Sequence, residues 1–188
     1  MAKSWLEWFA SQDGDGWDRR EHPGPDIPAL VAADFDPVIG TLNWIKFTEV
    51  LDAARSQAAG AVLVIDLDDR SSVVEMVAEE NGADVLPWLA QAIRQAVRAD
   101  DLVTHLHGCR FAVLLRGAAQ DMAETIAARI MESVEDTMFS TIVGNARLGV
   151  VIGGAVFDSN GSREGDIVDT AASNLEVALS ADKRVKIQ

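Results

Sequence analysis

The sequence has little of several features that would place it in a specialised class of protein. Of its 188 residues only Cys109 is a cysteine, which excludes a disulfide framework and favours a reducing compartment. No apolar run approaches the ~20 residues needed to cross a bilayer. The first residues also lack the basic and apolar segments of a signal peptide. We therefore expect a cytoplasmic protein without a membrane partner.

Basic residues are also scarce. The chain has 16 lysines and arginines against 30 acidic residues, for a net charge of −14. This charge opposes binding to nucleic acid or to an anionic membrane, so an anionic ligand would need a local basic pocket. Hydrophobic residues, in contrast, make up 48% of the chain. That proportion predicts one globular domain over residues 36–188. Residues 1–35 are predicted to form an extension with a short helix and a Gly/Asp- and Pro-rich linker.

The hydrophobic pattern predicts a mixed sheet covered by helices, an α/β fold. A continuous apolar strand over residues 61–65 leads into Asp66, and a second strand covers residues 148–157. Asp121 and Glu124 resemble a capping box, and Asp166 is predicted to cap the last helix. The predicted helices cover residues 43–59, 72–80 and 85–98, a segment after Asp121, and a segment after Asp166.

The chain is organised around Leu102 to Leu115, where two short apolar runs flank His107-Gly108-Cys109-Arg110. Two such runs around a Gly-containing break predict a β-hairpin. We expect the turn at His107-Gly108. The polar residues of this tip are not those that turn propensity alone would choose.

The order and spacing of these segments resemble the GGDEF domain, the catalytic domain of bacterial diguanylate cyclases. The resemblance covers residue 36 to the C-terminus and implies a nucleotidyl-cyclase palm-like fold, with a mostly antiparallel sheet whose β-hairpin carries the signature. His107 to Phe111 stands where the family has Gly-Gly-Asp-Glu-Phe. The other matching segments are residues 36–43, 64–68, 82–86, 98–102 and 151–155.

The resemblance implies an enzyme that joins two GTP molecules into cyclic di-GMP with divalent metal ions, yet the chain departs from the family at the positions that matter. Asp66 is kept, whereas the two acidic positions of the signature are Cys109, a poor ligand for a hard cation, and Arg110, which would repel one. The guanine-reading and phosphate-binding positions of the family fall on residues that cannot make those contacts: Val74, Ala83, Ser71 and Leu179. We therefore expect a catalytically inactive domain in which Asp66 is at most a relict metal ligand.

The resemblance also implies a second site. Many diguanylate cyclases bind a dimer of cyclic di-GMP, as a feedback inhibitor, through an Arg-x-x-Asp and a further arginine, and these positions fall on Arg98, Asp101 and Arg129. Arginine can bond a guanine edge or a phosphate, and a carboxylate can accept from guanine N–H groups. The alternative is a helix that ends in an Arg–Asp pair, with Arg129 an ordinary solvated residue.

His105, His107 and Cys109 form a rival constellation, because residues two apart share a face of an extended strand. They could in principle hold zinc or another transition metal together with Asp66. A turn at His107-Gly108 would break that alternation, so we favour a surface histidine pair and a free thiol.

The sequence therefore predicts an inactive GGDEF domain that senses cyclic di-GMP through Arg98, Asp101 and Arg129. The alternatives are a nucleotide-free interaction or dimerisation module that docks through the N-terminal extension and, third, a weakly active cyclase. No cofactor is expected to be required, and Mg²⁺ is expected only if residual GTP binding exists. The expected partners are cyclic di-GMP and an unidentified protein, with a homodimer left open.

Overall fold

A computed structural model of the chain describes residues 28–68, 85–141, 144–158 and 166–188. The predicted helix over residues 72–80, the positions Ser71, Val74 and Ala83, and most of the predicted extension lie outside this part. None of the described helices is long and apolar enough to span a membrane.

The described elements begin with a short 3₁₀ turn and alternate between helices and strands. Their bounds, in chain order, are 3₁₀ Ala32–Asp34, α1 Trp44–Arg55, β1 Gly60–Leu67, α2 Leu86–Ala96, β2 Leu102–His107, β3 Arg110–Arg116, α3 Gln120–Asp136, β4 Phe139–Thr141, β5 Gly144–Ala146, β6 Val150–Phe157, α4 Ile167–Ser180 and β7 Val185–Ile187.

Five strands form the central sheet in the order β2-β3-β1-β6-β7. All neighbours are antiparallel except β6 and β7, so the mostly antiparallel sheet predicted from the resemblance is confirmed. Strand β1 lies in the middle, and residues 61–65 are fully buried because helices cover both faces. A strand with both faces buried is typically apolar throughout, as this one is.

Two helices pack on each face of the sheet. Leu63 and Ile65 of β1 point into a core shared with α2 and α3, whereas Val62 and Val64 point into a core shared with α1 and α4. This alternation follows from the two-residue period of a strand. The layers hold β1, β3 and α4 in contact with one another, which positions the hairpin tip.

The helix starts were predicted with mixed success. Asp166 caps α4 as predicted, with its Oδ1 accepting the N–H of Val168 at 2.8 Å. The capping box at Asp121 and Glu124 is wrong, because α3 begins at Gln120 after Ala119 and has no side-chain cap. Glu124 instead accepts a bond from the Gln120 side chain at 3.1 Å.

The predicted boundary between the extension and the domain lies at residues 35 and 36. Leu30 and Phe35, just before it, pack partly buried against the core on the α1 and α4 side. Phe35 also forms an antiparallel bridge with Leu42. The described end of the predicted extension therefore contacts the domain.

Candidate functional site

The hairpin tip is a two-residue loop, Gly108-Cys109, between His107 and Arg110, which pair across the two strands. The turn thus lies one residue later than predicted. Gly108 has a φ of +53°, and Cys109 has a negative φ, as in the hairpin turns that favour glycine at their first loop position. The strand pairing that holds the tip reaches His107 and Arg110, after a register shift between His105 and His107.

Arg110 connects the tip to two other elements. Strand β3 pairs with β1 so that Phe111 lies opposite Ile65, which brings Arg110 beside Asp66. The Nε and Nη2 atoms of Arg110 each lie 2.8 Å from Oδ2 of Asp66, and Nη2 lies 3.1 Å from Oε1 of Glu176 on α4. We call these three residues the Arg110 cluster. Its guanidinium satisfies two carboxylates at once.

The Arg110 cluster does not fit a divalent metal ion. Oδ2 of Asp66 is taken up by the guanidinium, and the positive charge of Arg110 would repel a second cation at that distance. Hard cations need several oxygen ligands, whereas no group of three metal-binding side chains occurs among the residues that the structure describes.

Cys109 is half-buried beside the Arg110 cluster and packs against the core on the α2 and α3 side. Burial, and to a lesser extent the negative charge of Asp66, raise the pKa of its thiol above the ordinary value. Cys109 is therefore protonated at neutral pH, a form that is neither a good nucleophile nor a metal ligand.

The two histidines of the hairpin do not form a metal site with Cys109 in the described part of the chain. The pairing of β2 with β3 shifts register between His105 and His107, which interrupts their alternation. The ring of His105 lies 5.2 Å from that of Phe111, and its Nε2 lies 2.8 Å from the carbonyl oxygen of Gly108. His107 is exposed.

Asp101 lies at the other end of the hairpin, in the turn between α2 and β2, and is only 3% exposed. Its Oδ2 accepts the backbone N–H of Arg98 at 2.9 Å, and its Oδ1 accepts that of Arg116 at 3.3 Å. Burial raises the pKa of Asp101 above its usual value, although the two backbone bonds oppose that shift. The carboxylate thus fixes the turn that presents Arg98.

The guanidinium of Arg98 is exposed and lies against α3, where its Nη2 is 3.4 Å from Sδ of Met122. Arg129 is exposed seven residues later on the same helix. Seven residues are almost two turns, so Arg129 and Met122 share a face of α3 about 10 Å apart. The structure therefore places Arg98 and Arg129 on one surface, with Asp101 buried beneath the first.

The sequence analysis missed three residues that contact the predicted site residues, namely Glu176, Arg116 and Met122. It also missed the contact between Arg110 and Asp66. The sequence contained a signal for this contact. One apolar strand ends at Asp66 and another begins at Phe111, and antiparallel pairing of these two strands brings Arg110 beside Asp66. Glu176 is 66 residues from Arg110 and exposed on its helix, so only the tertiary fold brings them together. Leu179, at a predicted phosphate-binding position, is partly buried against the α1 and α4 core.

The family model described as "Diguanylate cyclase, GGDEF domain" matches residues 33–184. The chain is 29% identical over 142 residues to the uncharacterized protein YhcK of Bacillus subtilis (strain 168), covering 72% of this chain and 40% of that one. It is also 29% identical over 136 residues to diguanylate cyclase DgcM of Escherichia coli (strain K12), covering 70% and 32%. The chain thus spans less than half the length of these curated relatives.

Solved structures show the same fold. The GGDEF domain of FimX from Pseudomonas aeruginosa superposes with a TM-score of 0.71 at 21% identity, covering 82% of this chain and 99% of that one. The coiled coil and GGDEF domain of DgcB from Caulobacter crescentus, in complex with c-di-GMP, has a TM-score of 0.69 at 18% identity and covers 83% and 86%. With the family model spanning most of the sequence, these matches show that the chain belongs to the GGDEF domain family.

Proposed function

We propose that this chain is a catalytically inactive GGDEF domain that acts in cyclic di-GMP signalling as a receptor. The proposed loss of catalysis is supported by the contact of Arg110 with Asp66 at 2.8 Å. Joining two nucleotides through a phosphate requires metal ions that neutralise the phosphates and activate the attacking hydroxyl. A guanidinium bonded to Oδ2 of the kept carboxylate opposes the binding of such an ion beside it, and the described ranges contain no group of three metal-binding side chains.

The proposed receptor function is supported by the surface formed by Arg98 and Arg129. Although the chain has a net charge of −14, two exposed arginines on one surface provide cationic hydrogen-bond donors for an anionic ligand. Guanidinium groups bond both phosphate oxygens and guanine edges, the two kinds of group that cyclic di-GMP offers. The DgcB relative, whose structure was solved in complex with c-di-GMP, supports this choice of ligand.

In this proposal Asp101 does not contact the ligand, although the sequence analysis expected it to do so. Its two oxygens already accept backbone N–H groups and are buried, so ligand contacts come from Arg98 and Arg129. Asp101 is then a positioning residue that holds the turn before β2. The turn and the hairpin tip lie at opposite ends of a six-residue strand, about 17 Å apart, so changes at the tip leave the arginine surface intact.

The test is calorimetric titration of the full chain with cyclic di-GMP, and in parallel with GTP plus Mg²⁺. We expect binding of cyclic di-GMP alone. A charge-assisted hydrogen bond contributes about 1.5–3 kcal/mol, so Arg98→Ala and Arg129→Ala should each weaken binding by roughly tenfold to a hundredfold. Arg147, an exposed arginine outside both regions, provides the control, and Arg147→Ala should bind like the wild type. Equal affinity in all four proteins would contradict the assignment of the binding site to Arg98 and Arg129, and no binding by the wild type would contradict the receptor function.

A nucleotide-free interaction module is the second candidate. It is favoured by large apolar side chains on the described surface, among them Ile45 at 80% and Trp88 at 53% exposure. Scattered exposed apolar residues are common, so this observation is weaker than the arginine surface. If neither cyclic di-GMP nor GTP produced heat on titration, the result would favour the interaction module. Product formed from GTP would instead establish a weakly active cyclase.

A further inference from the structure

We propose that the guanidinium of Arg110 is a permanent internal cation that replaces a divalent ion at the hairpin tip. The stability of this domain then does not respond to divalent cations. The inference shares with the proposed function the loss of a metal site, but it concerns the folded state itself. It can therefore be tested without nucleotide.

The Arg110 cluster joins three elements that are distant in sequence: β1 supplies Asp66, β3 supplies Arg110 and α4 supplies Glu176. Two nitrogens of the guanidinium approach the same oxygen of Asp66 at 2.8 Å, and one of them also reaches Glu176 at 3.1 Å. A cation that ligates carboxylates from separate elements holds them together, whether it is a metal ion or an arginine.

The ion pair of Arg110 with Asp66 is largely buried. The side chains of Asp66 and Arg110 are only 25% and 20% exposed, so most of each has left water. A carboxylate in such a place needs a nearby cation, because a partly buried charge without a partner destabilises the fold. Glu176, at 62% exposure, is stabilised mainly by water and adds little. The required cation is therefore built into the sequence next to Asp66.

Arg110 offsets one of the two negative charges in the cluster. The three side chains carry one positive and two negative charges, a net charge of −1. With glutamate at position 110 the same three positions would be three carboxylates around one point. Such a group repels itself strongly, and a divalent ion is what would stabilise it.

The experiment measures thermal unfolding of the full chain in EDTA and in millimolar Mg²⁺ or Mn²⁺. Wild type should unfold at the same temperature in all three. Arg110→Ala should unfold about 5 °C lower, because Asp66 loses its cation. Arg110→Glu should be the least stable in EDTA and should regain several degrees with Mn²⁺. Arg184→Glu is the matched control, because Arg184 pairs with Glu135 in a more exposed ion pair. It should shift little and show no dependence on Mn²⁺.

Three results would overturn the inference: a wild-type transition that rises with Mg²⁺ or Mn²⁺, an Arg110→Ala transition equal to wild type, or an Arg110→Glu protein that Mn²⁺ does not stabilise. If the alanine and glutamate variants do not fold, Arg110→Lys decides. Lysine keeps the charge but not the planar fork, so its transition should lie measurably below wild type and remain insensitive to metal. A lysine variant stabilised by Mn²⁺ would refute the proposal.

Discussion

Replacement of Asp101 by alanine separates a positioning role from a ligand contact. The change leaves the N–H groups of Arg98 and Arg116 without the oxygens that they now reach at 2.9 and 3.3 Å. An unsatisfied buried donor costs about 1–3 kcal/mol, and the longer bond counts at the low end. Loss of a carboxylate that burial disfavours offsets part of this cost. We expect Asp101→Ala to lower the free energy of unfolding by about 2–3 kcal/mol.

Urea unfolding followed by circular dichroism measures this difference. Asp101→Asn keeps one acceptor oxygen and should lose roughly half as much, about 1 kcal/mol. The neighbouring Asp100 is the control, since its side chain is 84% exposed. Asp100→Asn should stay within about 0.5 kcal/mol of wild type. An Asp101→Ala protein as stable as wild type would refute the positioning role.

The pH dependence tests the same residue independently. Because burial raises the pKa of Asp101 above 3.8, the folded chain holds this proton more tightly than the unfolded chain does. The stability that Asp101 contributes is then fully present below pH 3.8, and it falls as the pH rises through the folded-state pKa. The stability of wild type relative to Asp101→Asn should accordingly decrease over that window. An increase would show that the two backbone bonds outweigh burial.

Two further predictions concern packing and the thiol. A Cβ on Gly153 would lie 2.1 Å from the backbone N of Leu175, so Gly153→Ala should lower the free energy of unfolding by about 3 kcal/mol or prevent folding. Gly149→Ala is the control in the same unfolding assay. It should be nearly neutral, because the nearest atom to a Cβ there lies at 3.5 Å. The raised pKa of Cys109 should place the midpoint of its alkylation rate against pH above 9.0. Asp66→Asn should lower that midpoint, and an unshifted wild-type midpoint would contradict the burial argument.

Long elements with a strong hydrophobic period were predictable. The continuous apolar run of β1 predicts a strand that is buried on both faces. The spacing of apolar residues in α1 to α4 predicts helices with one buried face. The missed strands β4, β5 and β7 have three residues each, too few for a period to show. Strand β7 forms only because its three residues pair in parallel with β6, a contact that the sequence does not encode locally.

The candidate site was predictable as positions but not as contacts. Comparison with the family signature predicted that Arg110 would repel a metal ion, but it did not predict the contacts of Arg110 with Asp66 and Glu176. Similarly, the spacing of Arg98 and Asp101 suggested a side-chain pair. The carboxylate instead accepts backbone N–H groups, because Asp101 turns inward as the chain enters β2. Side-chain direction depends on tertiary packing, which spacing alone does not determine.

The three residues that the sequence predicted to bind cyclic di-GMP therefore differ in what their presence implies. Asp101 fixes a turn, and Arg98 contacts Met122, so the fold gives both a use without any ligand. The side chain of Arg129 makes no hydrogen bond or ion pair within the described ranges, and it is exposed on α3. Substitution of such a residue usually changes stability by less than about 0.5 kcal/mol. A loss of cyclic di-GMP affinity in Arg129→Ala with an unchanged unfolding transition would thus report on the ligand alone, which neither of the other two substitutions can do.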